Sequence, residues 1–333
     1  MLDCDASRGH KVVGSGQDGG RVRRVRCARK SLPSARPEYH PCQALRPSTA
    51  ADGLQVMQVI PVSRGAYGDD VVSSTRFDAV TAATTLREQG VVLVPDAFAR
   101  DAPGLAEVVR GHVARRFGID ETDATTWGRP FDGGISVKRF RHPERFNAVL
   151  APQVRSVLNE ALGTGRWTDE PASARVLVTP PRQRSHWQVP TGFHLDVPID
   201  RRAWPGHGVL LFSFLADTPP GGGGTCVVPG SHQLIDSFLG EHHDLPLDRR
   251  LKVFLRRQGE WLRQLVNEDD HRSDRTERCF AGATVGGVPL RVVELTGRAG
   301  DVVITHLYTL HSVSPNASDR MRLMLSTALG VAD

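Results

Sequence analysis

From about residue 173 the chain is built of short apolar runs cut by Pro/Gly turns: "ARVLVTPP", "GFHLDVPI", "HGVLLFSFLAD", "GGTCVVPGS", "GVPLRVVELTG", "GDVVITHLYTLH" and "RMRLMLSTAL". Runs this short are strand-length, and their even spacing points to a sandwich or barrel. The N-terminal half reads differently. "FDAVTAATTLREQG" predicts a helix stopped near Gly90, and "VVLVP" a buried strand after it. "APGLAEVVRGHVARRFG" sets Leu105, Val108, Val109, Val113 and Phe117 near helical spacing, and "PERFNAVLAPQVRSVLNEALG" reads as a further helix. Residues 233–280 are charged and helical in pattern, an insert between strands suited to covering a barrel mouth. The expected layout is α+β with a mainly β core, supporting N-terminal helices and one helical insert. Neither a repeat nor a heptad run occurs.

The net charge of +5 would suggest a polyanionic partner if it were spread over the molecule. It is not: residues 1–56 hold ten Lys/Arg and five Asp/Glu, which is the whole surplus, and the remainder is formally neutral. The expectation is a small-molecule partner, with no nucleic acid and no membrane. Segment 1–56 has scattered Gly, Pro, Ser and Arg, no apolar period, and no run suited to a signal-peptide core or a membrane span. It is expected to be a disordered basic tail. An anion-binding arm and an organelle-targeting segment compete there with an over-extended start, translation beginning near Met57; the last is the favoured reading, and leaves one domain over 57–333. The five cysteines are scattered with no CxxC pair, which suggests reduced thiols in a cytoplasm.

Within "TGFHLDVPID", His194 and Asp196 stand two apart in an apolar run. On a strand, residues i and i+2 share a face, so this imidazole and carboxylate converge, with Phe193, Leu195 and Val197 turned the other way. A metal site, a catalytic dyad, a satisfied core histidine and a strand-end salt bridge all fit that pair. The C-terminal segment "GDVVITHLYTLHSVSPNASDRMRLMLSTAL" adds His306 and His311, which five-residue spacing puts on opposite faces of a regular strand, and a strand opening on arginine. Two histidines and one carboxylate leave three adjacent positions open on a metal, as in non-haem Fe(II) oxygenases, and an arginine nearby offers a fork for a carboxylate.

In order, "WQVPTGFHLDVP", "LADTPPGGGGTCVVPGSHQL" and "GDVVITHLYTLHSVSPNASDRMR" resemble the phytanoyl-CoA dioxygenase-like family of Fe(II)/2-oxoglutarate oxygenases, with coverage from about residue 75 to 330. The resemblance implies a double-stranded β-helix (jelly-roll, cupin-like) barrel. It implies metal ligands His194, Asp196 and His311, Arg322 as the cosubstrate arginine, and Fe(II), 2-oxoglutarate and O2 as cofactors. The reaction implied is hydroxylation of an unactivated C–H of a small metabolite or secondary-metabolite intermediate, with 2-oxoglutarate released as succinate and CO2. Halogenating relatives replace the carboxylate by a small residue, so Asp196 argues for hydroxylation or another oxidation over halogenation. The alternatives are a barrel that binds a small molecule or partner without catalysis, and a metal-dependent hydrolase or cupin-like oxygenase independent of 2-oxoglutarate.

Secondary expectations follow. Arg320 is the rival to Arg322, His306 a packing histidine, and His232 either a neighbour of the ligands or a turn residue. Thr225 and Trp187 are expected to line the pocket, and glycines 221–224 to supply positive φ in a tight turn. Two positions depart from the family: Leu177, with only Thr179 nearby, stands where a polar cosubstrate contact is common, and Val313 where a serine is common. Arg139, Arg141, His142, Arg182 and Arg184 are either solvated charges or contacts for a substrate anion.

Overall fold

The first helix, α1 (Ala79–Gln89), is closed at both ends by the residues that stop it. Asp78 accepts from Val80 N and Thr81 N, and Gly90 at φ 72° returns its N–H to Leu86 O at 2.8 Å. A Cβ on Gly90 would lie 2.4 Å from His232 Nδ1, so this glycine is required by packing as well as by dihedral. A computed structural model describes residues 77–129, 131, 133–167, 174–181, 187–196, 208–241, 247–267 and 272–331. The expectations for the 1–56 tail, Arg182 and Arg184 lie outside these residues.

Chain order continues with β1 (Val91–Val94), α2 (Ala102–Phe117), β2 (Gly134–Ser136), α3 (Pro152–Leu162), β3 (Arg175–Thr179), β4 (Gly208–Phe214) and β5 (Thr225–Val227). The insert follows as α4 (Ser231–Glu241), α5 (Leu247–Arg257), α6 (Glu260–Val266) and α7 (Arg275–Ala281). Then come β6 (Ala283–Val285), β7 (Val288–Leu290), β8 (Val293–Glu294), β9 (Val302–His306), β10 (His311–Val313) and β11 (Arg322–Gly330). The helix expected over "PERFNAVLAPQVRSVLNEALG" is split into a 3-10 stretch, Pro143–Val149, and α3. Pro152 causes the break: the residue before a proline is pushed out of the α region, and Ala151 has ψ 162°.

A six-stranded antiparallel sheet has the order β1-β9-β4-β11-β3-β2, a smaller one the order β10-β5-β8, and β6-β7 form a hairpin. Alternation along the large sheet sorts its residues into two cores. Val209, Leu211, Ile304, Leu323 and Leu325 pack with α1, α2 and α3, while Leu210, Phe212, Phe214, Val303 and Met324 pack with β5 and the insert. This is why "GVLLFSF" is apolar throughout: every residue of β4 is buried. The inner faces of the two sheets meet where Thr225 Oγ1 lies 3.9 Å from Met324 Sδ and Phe212 packs edge-on to His311, ring centroids 5.9 Å apart. Cys226 and Cys279 are buried cysteines, and no helix among the described residues is long and apolar enough to cross a membrane.

One strand expectation fails. "GFHLDVPI" was read as a strand, but within its described part, residues 192–196, only His194 makes a β-bridge. The segment is held by irregular contacts instead.

Candidate metal centre

His311 opens β10 opposite Val227 of β5. Its approach is fixed by Ser231, whose hydroxyl donates to Val228 O at 2.7 Å and accepts from Leu310 N at 2.9 Å, while Val228 N bonds Leu310 O at 2.9 Å. On its other side His311 exchanges both backbone hydrogen bonds with His194, at 3.0 and 3.1 Å. Residues paired in this way present their side chains to the same side, and the two rings sit 5.0 Å apart. Asp196 completes the cluster: Oδ1 is 3.5 Å from His194 Nε2 and Oδ2 is 3.2 Å from His311 Nε2. One ligand atom from each of the three lies within 4.8 Å of the others.

The backbone sets which nitrogen faces inward. Nδ1 of His194 is 2.9 Å from Gly192 O, and Nδ1 of His311 is 3.0 Å from Thr309 O. A carbonyl accepts only, so Nδ1 carries the proton in each neutral ring and the Nε2 lone pairs point at Asp196, the tautomer a metal requires. The 3.2 Å approach of His311 Nε2 to Asp196 falls outside hydrogen-bonding geometry. Among the described residues this buried nitrogen has no hydrogen-bond partner, so the site fits an electrophile. The imidazoles beside Asp196, His194 first and then His311, hold its carboxyl well below the usual carboxylate range, and the Asp196 carboxylate in turn raises His194. His311 is 5% exposed in its side chain, against 50% for His194 and 49% for Asp196. One ligand of the three is therefore dry, and the other two are half-exposed.

Arg322 begins β11 in register with Thr179 of β3, on the inner face it shares with Met324. It is 2% exposed. Nη2 donates to Thr179 Oγ1 at 2.6 Å, Nη1 lies 3.9 Å from Met324 Sδ, and Nε is buried with no hydrogen-bond partner among the described residues. Burial pulls the guanidinium down to about 10, opposed by the charge of Glu294, so it remains a cation at neutral pH. No carboxylate among the described residues forms an ion pair with it. A buried cation in that state is costly unless an anion completes it.

The phytanoyl-CoA dioxygenase (PhyH) family model matches residues 86–324. The chain belongs to that family. No curated protein matches it by sequence. Among solved structures, the epimerase SnoN in complex with Fe3+, alpha ketoglutarate and nogalamycin RO is 18% identical over 76% of this chain and 83% of that one, TM-score 0.47. AviO1 from Streptomyces viridochromogenes Tue57 is 18% identical over 77% and 96% of the two chains, TM-score 0.44. EvdO2 from Micromonospora carbonacea var. aurantiaca, complexed with 2-oxoglutarate, is 19% identical over 78% and 92%, TM-score 0.45.

The other expected residues divide. Thr225 is 1% exposed and faces Met324 between the sheets. Trp187 stacks on Phe280 at 5.7 Å, with Nε1 3.4 Å from Ser314 Oγ. His232 lies in the first turn of α4, not in a loop turn, and is not part of the triad: its Nε2 bonds Arg87 O at 3.1 Å, and its ring packs 5.0 Å from His306. His306 accepts from Tyr308 N at 3.1 Å. Arg320, expected on the strand face of Arg322, precedes β11 and is exposed, because the chain bends there before the sheet begins. Val313 is 49% exposed, and Leu177 packs beside Thr179's strand position against the inner core. Arg139, Arg141 and His142 are exposed, the last 3.2 Å from Glu144. Gly221 and Gly223 do adopt positive φ, and a Cβ on Gly224 would lie 2.0 Å from Leu295 O. Sequence reasoning missed Ser231 as the anchor of His311, and Glu294, which accepts from Gly221 N at 2.8 Å and Gly224 N at 3.2 Å. The bond from Ser231 to Val228 O is local turn chemistry of a kind the "PGSH" turn allows, but its bond from Leu310 N and the two made by Glu294 have no sequence signal, since they act on backbone distant along the chain.

Proposed function

We propose that this protein is a non-haem Fe(II)/2-oxoglutarate-dependent dioxygenase that hydroxylates an unactivated C–H of a small molecule, on a jelly-roll core. The observation that carries the reading is the pairing of two incomplete groups: a His–Asp–His cluster with an orphaned inward nitrogen, and a buried arginine without an anion. His194, Asp196 and His311 would hold iron through one face, leaving adjacent positions open. Arg322, oriented by Thr179, would take the far carboxylate of 2-oxoglutarate as a charge-assisted pair. When bound, iron and 2-oxoglutarate supply the oxidising chemistry together with O2. The chain's own residues do the rest. Nδ1 contacts to Gly192 O and Thr309 O keep the ligand tautomers fixed. Phe212, Met324 and Thr225 exclude water on the inner side, and the exposed flank of His194 and Asp196 is where substrate would approach. Retention of Asp196 favours hydroxylation over halogenation.

The test is anaerobic titration of the full chain with Fe(II) and then 2-oxoglutarate. A weak visible charge-transfer band is expected, absent in the His194→Ala, His311→Ala double variant. Folded protein that gives no band refutes the reading. Succinate release across a panel of small metabolites then identifies the substrate class.

A further inference from the structure

The insert was expected to cover the pocket mouth, but its last two helices grip the backbone that delivers the first two ligands. Segment 187–193 leads into His194 without regular strand pairing, so its backbone groups need other partners. β10 supplies one, Ser312 Oγ donating to Thr191 O at 2.8 Å. The remainder come from α6 and α7. Trp187 stacks on Phe280, Val189 N donates to Thr276 Oγ1 at 3.1 Å, and Phe193 N reaches Leu265 O at 3.4 Å. At the centre is Arg275, 3% exposed: Nε donates to Val189 O at 3.2 Å, Nη2 to Pro190 O at 2.6 Å, and Nη1 to Gln264 O at 2.9 Å. One planar group thus joins α6, α7 and the ligand-bearing segment, a geometry that a single ammonium cannot reproduce.

We propose that α6 and α7 act as a clamp that sets His194 and Asp196 against His311, with Arg275 the positioning residue. This rests on the reading of the triad as a metal site. His311 lies in a strand paired with β5 and needs no such help. His194 has one bridge, and Asp196 has no backbone bond to β10 among those described. Their geometry is therefore inherited from the backbone four to seven residues upstream, where Arg275 holds it.

The experiment measures Co(II) affinity of the full chain by the visible absorption of the bound ion, beside thermal unfolding. Arg275→Met keeps length and apolar packing while removing the hydrogen bonds to Val189 O, Pro190 O and Gln264 O; a rise in Kd of about tenfold or more is expected, the scale of losing a group that orients a metal ligand. Arg275→Lys should recover only part of it. Leu158→Ala, in the core on the other side of the large sheet, should lower Tm yet leave Kd within about twofold, which separates positioning from general stability. If Arg275→Met does not fold, Thr276→Val decides, with about a threefold rise in Kd expected for one lost hydrogen bond. Wild-type Kd in folded Arg275→Met, or in Thr276→Val where Arg275→Met does not fold, overturns the clamp. Wild-type protein that binds Co(II) no more tightly than Asp196→Ala overturns the metal reading as well, a different result from tight wild-type binding matched by Arg275→Met.

Discussion

The two halves of the candidate site are built on different principles. His311 and Arg322 start strands of two sheets, are 4% and 2% exposed, and inherit their positions from ladder hydrogen bonds and core packing. His194 and Asp196 sit on an irregular segment, half-exposed, and are placed by one bridge and a set of contacts to the helical insert. The difference teaches where each kind of precision originates. A strand in a sheet is positioned by many weak, redundant bonds, whereas an irregular segment depends on a few specific ones.

The comparison is tested most severely at the ligands. His311→Ala and His194→Ala should each weaken metal binding by more than about 100-fold, beyond the loss from an orienting neighbour. They should differ in stability: His311→Ala leaves a cavity and costs about 2 kcal/mol in urea unfolding, while His194→Ala stays within about 0.5 kcal/mol. Equal stability losses would erase the distinction between the halves.

Next in size is Arg322→Met. Calorimetry on metal-loaded protein should show 2-oxoglutarate affinity reduced at least about thirtyfold, from the loss of a buried charge partner worth about 2 kcal/mol or more. Without cosubstrate the same variant should be no less stable than wild type, because an uncompensated buried charge has been removed. Marked destabilisation would mean the arginine is structural. Thr179→Val should be milder, weakening 2-oxoglutarate about fivefold through loss of one hydrogen bond to the guanidinium.

A pH series sharpens the exposed half. His194 is raised by Asp196, so its proton competes with metal at a higher pH than for an ordinary histidine, and Asp196, held low, stays ionised throughout. Metal Kd should rise about tenfold per pH unit once pH falls below the His194 titration. In metal-free protein the sign reverses: the raised group adds stability that is complete below the unfolded-state histidine pKa and is lost as pH rises through the folded one. A flat Kd from pH 8 to 5.5 would exclude His194 as a ligand. The smallest effect belongs to Arg320→Ala, which should leave 2-oxoglutarate affinity within about twofold because this side chain is exposed ahead of the strand.

Periodicity alone was enough to find the runs that form β1, β3, β4, β5, β9 and β11, α1 with its stop at Gly90, α2, and the helical character of the insert, since these follow from local alternation and capping, but it did not find the short strands β2 and β6. His194, Asp196 and the second histidine of the His306/His311 pair do converge, whereas His306 packs elsewhere. The segment through His194 is not a strand although its apolar alternation is real, because outside its one bridge to His311 it is held chiefly by groups of α6 and α7 and not by a second ladder. Arg320 and Arg322 look equivalent in sequence, and the start of β11 between them is a property of the sheet. What the amino-acid order determined by itself was which residues have the chemistry and which local elements can form, because propensity, capping and period act over a few positions. What only tertiary structure decided was their meeting: Ser231 on Leu310, Thr179 on Arg322, and Arg275 on Val189 and Pro190 join backbone and side chains 79, 143 and about 86 residues apart, and no local rule reaches that far.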